Sequence, residues 1–452
     1  MTTNTFHHAL NFDKNTCVGC SHCMKVCPTE AIRVYSGKAE LLANRCIDCG
    51  ECYRVCPVDA IKVEQDDLQL IFNYKHRIAL VPGVLLGQLY EEINPRQIYS
   101  VFMELGFTHV CEVETGVEIL KPAMAEYIRS NPEIRPLISA FCPAIVRLIQ
   151  VKFPSLVNHI MLLKPPLDVA GLYYRQMLIR QGARKEEIGL FYITPCAAKI
   201  AAIKSPVGED KSIVDGVINM DFAYNKVLTT VKQSKSTSCI LPNDPQLPPD
   251  SILWSLTTGE SSNMPGRSLA IDGINNVIEF LEELENEEVS NIDFLELRAC
   301  DESCAGGILT STNRFFTAER LRNRAKVAEK HLSFKKDNDH ILDFSHYLAA
   351  NLAIDKIKPR SMLKLDENIG GAIEKMRKVN ELMEVLPYVD CGICGSPTCK
   401  SLAEDIVREQ AEIGRCIFIQ RILEQKGTFS HGESIKIMKE VWGESKLDKN
   451  IK

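Results

Sequence analysis

The sequence predicts an α+β multidomain protein: a small cysteine-repeat domain, then an α/β core, then a small helical cysteine module. Three observations predict it. A cysteine motif repeats within residues 1–66. Apolar runs alternate with helical periods over 67–330. A last cysteine group, within 391–425, follows an amphipathic stretch. With 452 residues, a prior of roughly 150 per domain allows about three domains. Hydrophobic content is 45%, enough for a core that does not depend on metal alone. The net charge of −6 leaves no electrostatic footprint for nucleic acid.

The chain has 18 cysteines. Disulfides are the competing use, but they favour small secreted chains. Met1 to Asn11 has no apolar signal core and no twin arginine. The most apolar stretch, Ala144 to Leu163, is broken by Arg147, Lys152, Pro154 and His159, so no membrane span is expected. The expectation is a cytoplasmic protein whose cysteines hold metal, with neither nucleic acid nor membrane as partner. Cys111 and Cys239 stand outside every motif.

The first domain, 1–66, holds Cys17, Cys20, Cys23 and Cys27-Pro28, then the same spacing at Cys46, Cys49, Cys52 and Cys56-Pro57. Three cysteines on a tight loop can wrap one face of a cubane. The fourth, turned away by the following proline, serves the other cluster in two-cluster ferredoxins. This pairs Cys17, Cys20, Cys23 and Cys56 on one 4Fe–4S cluster, and Cys46, Cys49, Cys52 and Cys27 on the second. Zinc would use paired knuckles without the Cys-Pro step. Each repeat is expected to continue into a short helix, at Thr29-Glu30-Ala31 and Val58-Asp59-Ala60.

In the core, 67–330, Ile78 to Pro82 and Ile188 to Ile193 read as buried strands. Gln97 to Leu105 and Val169 to Arg180 read as helices, and Ser234 to Asp250 as a surface loop. Three segments carry the remaining motif cysteines: Ser139-Ala-Phe-Cys142-Pro143, Thr194-Pro195-Cys196-Ala-Ala-Lys199, and Arg298-Ala-Cys300-Asp-Glu-Ser-Cys304-Ala-Gly306-Gly307. Four thiolates from strand ends would complete one 4Fe–4S site; unrelated buried cysteines are the plainer reading. The glycine pair would let backbone approach a bulky inorganic group. No G-x-G-x-x-G follows a strand and no Walker loop exists, so a nucleotide site is not supported.

Residues 331–390 form a connecting segment. Glu367 to Leu386 is a predicted helix, with Ile369, Ile373, Met376, Val379, Leu382 and Leu386 on one stripe. That stripe would pack on its own module, or pair two chains as a homodimer, although it lasts under three heptads. Cys391, Cys394, Cys399 and Cys416 then form a further cysteine set, read as a 4Fe–4S module, with zinc as the alternative. A helix from about Lys400 to Gly414 would return the fourth ligand. The tail, 426–452, is polar and expected to fray.

The three middle segments, in this order after a two-cluster ferredoxin-type domain, resemble the iron-only (FeFe) hydrogenases. The family signatures run approximately T-S-C-C-P, M-P-C-x-x-K and E-x-M-x-C-x-x-G-C, and the resemblance covers residues 10 to 325. It implies an α/β FeFe-hydrogenase-type core. It further implies that Cys142, Cys196, Cys300 and Cys304 hold a 4Fe–4S cluster, with Cys304 bridging to a diiron unit that carries CO and cyanide. Lys199 matches the family lysine that hydrogen-bonds a cyanide. H2 would be the small-molecule ligand, a ferredoxin or signalling protein the redox partner, and an anaerobe the source.

The chain also departs from the family. Phe141 stands where the family has its proton-relaying cysteine. Thr194 and Arg298 replace signature methionines, and an acidic pair of the relay falls on Pro122-Ala123, with Glu126 matching a later acid. A cut relay with all four thiolates kept resembles the sensory branch: H2 binding with slow turnover, for H2 or redox sensing. An active ferredoxin-linked hydrogenase and an electron-transfer protein with 4Fe–4S clusters only are the alternatives.

Overall fold

Each N-terminal cysteine repeat folds as one helical turn followed by a strand. In this computed structural model, which describes residues 6–90, 92–233, 247–286, 291–332, 344–360, 365 and 368–448, the chain divides into two units. One joins Leu10–Val63 to Arg360–Lys452, and the other joins Met1–Ala9 to Glu64–Pro359.

In the first, cysteine-rich unit, β1 (Leu10–Phe12) pairs antiparallel with β4 (Ile61–Val63), and β2 (Ile32–Tyr35) pairs with β3 (Lys38–Leu41). The helical turns are His22–Val26 and Glu51–Arg54. The expected helices after each Cys-Pro do not form. Instead Glu30 and Asp59 both take φ 51°, and the next strand begins two residues later. The thiols explain it. Ala31 N–H donates to Cys27 Sγ and Ala60 N–H to Cys56 Sγ, each at 3.2 Å, so the backbone turns round the sulfur rather than into a helix. The identical bond in both repeats is the structural form of the internal repeat.

The C-terminal segment belongs to this same unit, so the fold departs from the sequence layout of separate 1–66 and 391–425 domains. Val34 N–H donates to the Gly395 carbonyl at 2.9 Å. Arg33 grips Asp405 through two nitrogens, at 2.6 and 3.1 Å, and buried Arg45 pairs with Glu404. The described part of the tail, up to residue 448, is not frayed: His431–Trp442 and Glu444–Leu447 are helices. Ser36 and Gly37, the tight turn between β2 and β3, donate to Glu440 and Val441 carbonyls at 2.9 Å. A Cβ on Gly37 would stand 2.6 Å from the Trp442 carbonyl oxygen, so only glycine allows this approach. The amphipathic helix spans Ile369–Val385. Val379 and Leu386 are buried with Cys394, Leu402 and Ile419, whereas Ile373 and Met376 are exposed.

The α/β unit holds two parallel sheets. One has the order β6-β5-β8-β9, from His109–Glu112, His76–Val81, Ile188–Thr194 and Gly216–Asn219. The other has the order β10-β11-β7, from Ser268–Asp272, Phe294–Arg298 and Leu137–Ile138. All seven residues of β8 are buried, as expected for a parallel strand covered on both faces. Helices Pro95–Glu104 and Pro166–Arg180 stand where the periodicity places them. Residues 234–246 of the predicted surface loop, and Cys239 with them, lie outside the described residues; Pro249–Leu253 is helical. Among the described residues no helix is long and apolar enough to cross a membrane.

Candidate iron–sulfur and diiron site

Seventeen cysteines are described, and none of them is in a disulfide. In the cysteine unit, Cys17, Cys20, Cys23 and Cys56 line one small cavity, the crossed pairing expected from the sequence. Burial pushes the Cys23 thiol up to about 12, with Cys20, Cys17 and Cys56 adding like charge. Burial, and the charge of Cys27 close by, also raise Cys46, Cys49 and Cys52, so Cys27 stands with the second set. Cys391, Cys394, Cys399 and Cys416 line a second small cavity, and burial brings Cys394 up to about 11. Metal binding takes thiols as thiolates and releases their protons, and it needs several of them converging on one place. The donor set therefore fits iron–sulfur clusters.

The middle cysteines sit at strand ends of the α/β unit. Cys142 follows β7 and precedes the helix Pro143–Lys152; Cys196 follows β8 and precedes Ala197–Lys204. Cys300 follows β11, and Cys304 lies in the short turn Ser303–Gly306. Helix N-termini favour negative sulfur. Burial pushes Cys196 up to about 12 against the pull of Lys199, with Cys304 and Cys142 adding like charge. Burial likewise raises Cys142, with Cys304 again nearby.

Beside Cys304 opens a cavity of about 120 Å³, whose wall includes Phe141, Lys199, Arg147, Glu114 and Asp168. Lys199 Nζ donates to the Tyr192 hydroxyl at 3.2 Å and stands 4.0 Å from Cys304 Sγ. Burial alone would depress this ammonium, but Cys304, Tyr192 and Cys196 outweigh it and hold the pKa above the usual lysine range. A buried cation on a small cavity next to a cysteine sulfur fits an anionic metal group.

Phe141 is 8% exposed. The Lys199 ammonium lies 4.7 Å from its ring centre and the Arg298 guanidinium 3.7 Å. Arg298 is fully buried, paired with Glu260 at 2.9 Å and Glu296 at 3.5 Å. Ser139 donates to both Glu260 oxygens, at 3.0 and 2.7 Å. Thus three residues of the departing motifs form one packed group with Glu260, which sequence spacing did not reveal.

The structure bears on two further expectations. The glycine pair does not face the cavity: a Cβ on Gly306 would meet the Asp301 carbonyl at 2.0 Å, and one on Gly307 the Pro195 carbonyl at 2.5 Å. These glycines let the Cys304 turn pack on neighbouring backbone. Glu126 is exposed and bound to Arg129 and Ser130. Cys111 is buried at the end of β6 beside Tyr174.

Residues 77–225 match the family described as iron only hydrogenase large subunit, C-terminal domain. Residues 9–57 match the 4Fe-4S dicluster domain, and 386–418 a putative Fe-S cluster family. No curated protein matches the chain. Among solved structures, an FeFe-hydrogenase studied for oxygen inactivation of its H cluster 2Fe subcluster has 13% identity, covers 66% of this chain and 97% of its own, and has a TM-score of 0.47. HydA(deltaEFG), studied for stepwise H-cluster assembly, has 14% identity, 66% and 97% coverage, and a TM-score of 0.46. A variant of FeFe-hydrogenase HydA1 from Chlamydomonas reinhardtii has 14% identity, the same coverage, and a TM-score of 0.44. With three family matches along one chain, around cavities lined by cysteine, the protein is an FeFe-hydrogenase-like iron–sulfur protein.

Proposed function

We propose that the protein binds H2 at a diiron unit joined to a 4Fe–4S cluster, turns it over slowly, and serves in H2 or redox sensing. Cys142, Cys196, Cys300 and Cys304 would hold the cluster, with Cys304 shared between the two metal groups. When bound, the diiron unit supplies an open iron and a base for splitting H2. Lys199 would hold its anionic ligands, and the cavity beside Cys304 offers the space. Two clusters on Cys17, Cys20, Cys23, Cys56 and on Cys46, Cys49, Cys52, Cys27, and one on Cys391, Cys394, Cys399 and Cys416, would carry electrons to a ferredoxin or a signalling protein.

The observation that carries the slow-turnover reading is Phe141. Its ring is packed against Arg298 and Lys199, so it has no proton to give and keeps out a water that could replace one. Losing a positioned proton donor typically costs about 10²–10⁴ in rate. H2 evolution by matured protein with a strong artificial reductant tests this. A wild-type rate equal to that of an ordinary FeFe-hydrogenase rejects the sensing role.

A further inference from the structure

The cavity beside Cys304 has a second wall, on the β6 side. Glu114, two residues past β6, lies on it and is 4% exposed. Its Oε1 accepts the Gly83 N–H at 2.8 Å. Its Oε2 is buried with no hydrogen-bond partner. A bare buried carboxylate oxygen is costly, and burial, with Glu112 adding like charge, pushes the Glu114 pKa up to about 7.

Glu112, the last residue of β6, stands next in line and is 3% exposed. Its Oε1 accepts from the Tyr99 hydroxyl and, at 2.6 Å, from Arg324 Nη2. Its Oε2 is also buried and unpartnered. Arg324 in turn lines an open groove of about 660 Å³, with Tyr90, Arg96 and Arg320. Two buried carboxyl groups therefore follow one another along the chain: Glu114 on the cavity, and Glu112 on Arg324, which lines the groove.

We propose that Glu114 is the proton carrier of the cavity, exchanging protons with the group held there and, through Glu112, with solvent in the groove. The proposal rests on the diiron reading. In the step, the Oε2–H bond of Glu114 breaks and the proton bonds to a basic atom of the bound group. The carboxylate then regains a proton from the Glu112 side, and no electrons move. The groups that set its charge are Glu112 and Arg324, with the Gly83 N–H on the other oxygen. Across the cavity stand Lys199, Arg147 and Asp168. Burial raises Asp168 to about 6 against the pull of Lys164 and Lys199.

Infrared difference spectra of the four-cluster protein across pH should show protonated-carboxyl absorption that titrates near pH 7, from Glu114 and Glu260, and Glu114→Gln should remove the Glu114 component. In protein matured with a diiron precursor, exchange of H2 against D2O should fall at least ~10-fold in Glu114→Gln, with CO and cyanide bands retained. Glu114→Asp should restore it. Glu112→Gln should slow exchange while leaving the carboxyl band in place, which keeps the test open should Glu114→Gln fold poorly. Undiminished carboxyl absorption in Glu114→Gln, or unchanged exchange with CO and cyanide bands intact, overturns the assignment. Absence of those bands from matured wild type overturns the diiron reading instead.

Discussion

The Arg298 guanidinium carbon stands 3.7 Å from the centre of the Phe141 ring. Both residues stand where the sequence departs from the hydrogenase signatures that it resembles. The ring face takes the cation, while Glu260 and Glu296 take its charge. Reverting either residue alone therefore disturbs the other.

Phe141→Cys should raise H2 evolution by about 10-fold or more, since it returns an exchangeable proton to the cavity. The gain should fall short of a full relay, because Pro122 and Ala123 offer no acid and Glu126 faces solvent. Hydrogen evolved from a strong artificial reductant is the measurement.

Cys304→Ala should abolish CO and cyanide stretching bands in matured protein. Lys199→Ala should weaken or shift them, because the cation 4.0 Å from Cys304 is lost. Infrared spectra of both variants beside wild type decide this.

Iron and sulfide analysis of anaerobically reconstituted protein should give about 16 cubane irons, four for each of four clusters. Cys391→Ala should lower the total by about four and leave the N-terminal clusters in place. A loss of about twelve would mean that the two halves of the cysteine unit load together.

Asp405→Asn should destabilise the cysteine unit by about 3–5 kcal/mol, because it leaves the mostly buried Arg33 without its carboxylate. The double variant with Arg33→Met should recover much of that loss. The temperature at which cluster absorbance disappears reads both.

Stability should fall as pH rises from about 4.5 to about 7, because folded Glu114 keeps a proton that the unfolded chain has released. A shift of that size is worth about 3 kcal/mol. Glu114→Gln should flatten this part of the profile in denaturant titrations of the protein.

The cysteine sets were legible because cluster ligands sit in short local spacings that survive as text. β5, β8 and the helix Pro166–Arg180 were legible through continuous or periodic apolar runs. What failed was set by distant chain. Glu260 meets Ser139 and Arg298 only after three loops converge, and Glu114 becomes exceptional only through burial. Gly306 and Gly307 were assigned to a metal group, yet they touch the Asp301 and Pro195 backbone. The tail helix His431–Trp442 looked too polar to fold, although Ser430 and Glu433 form a capping box at its start. That four-residue signal was available in the sequence.

The cysteine unit is built from two stretches, Leu10–Val63 and Arg360–Lys452, with Glu64–Pro359 between them. On a ribosome adding about 5–20 residues per second, the first stretch waits roughly 15–60 s for its partner to emerge. Until then Arg33 and Arg45 lack the Asp405 and Glu404 carboxylates, and the turn at Gly37 lacks its helix. Cluster-delivery machinery that acted during synthesis would meet a half-built domain, so the order of translation favours insertion of the metal after release.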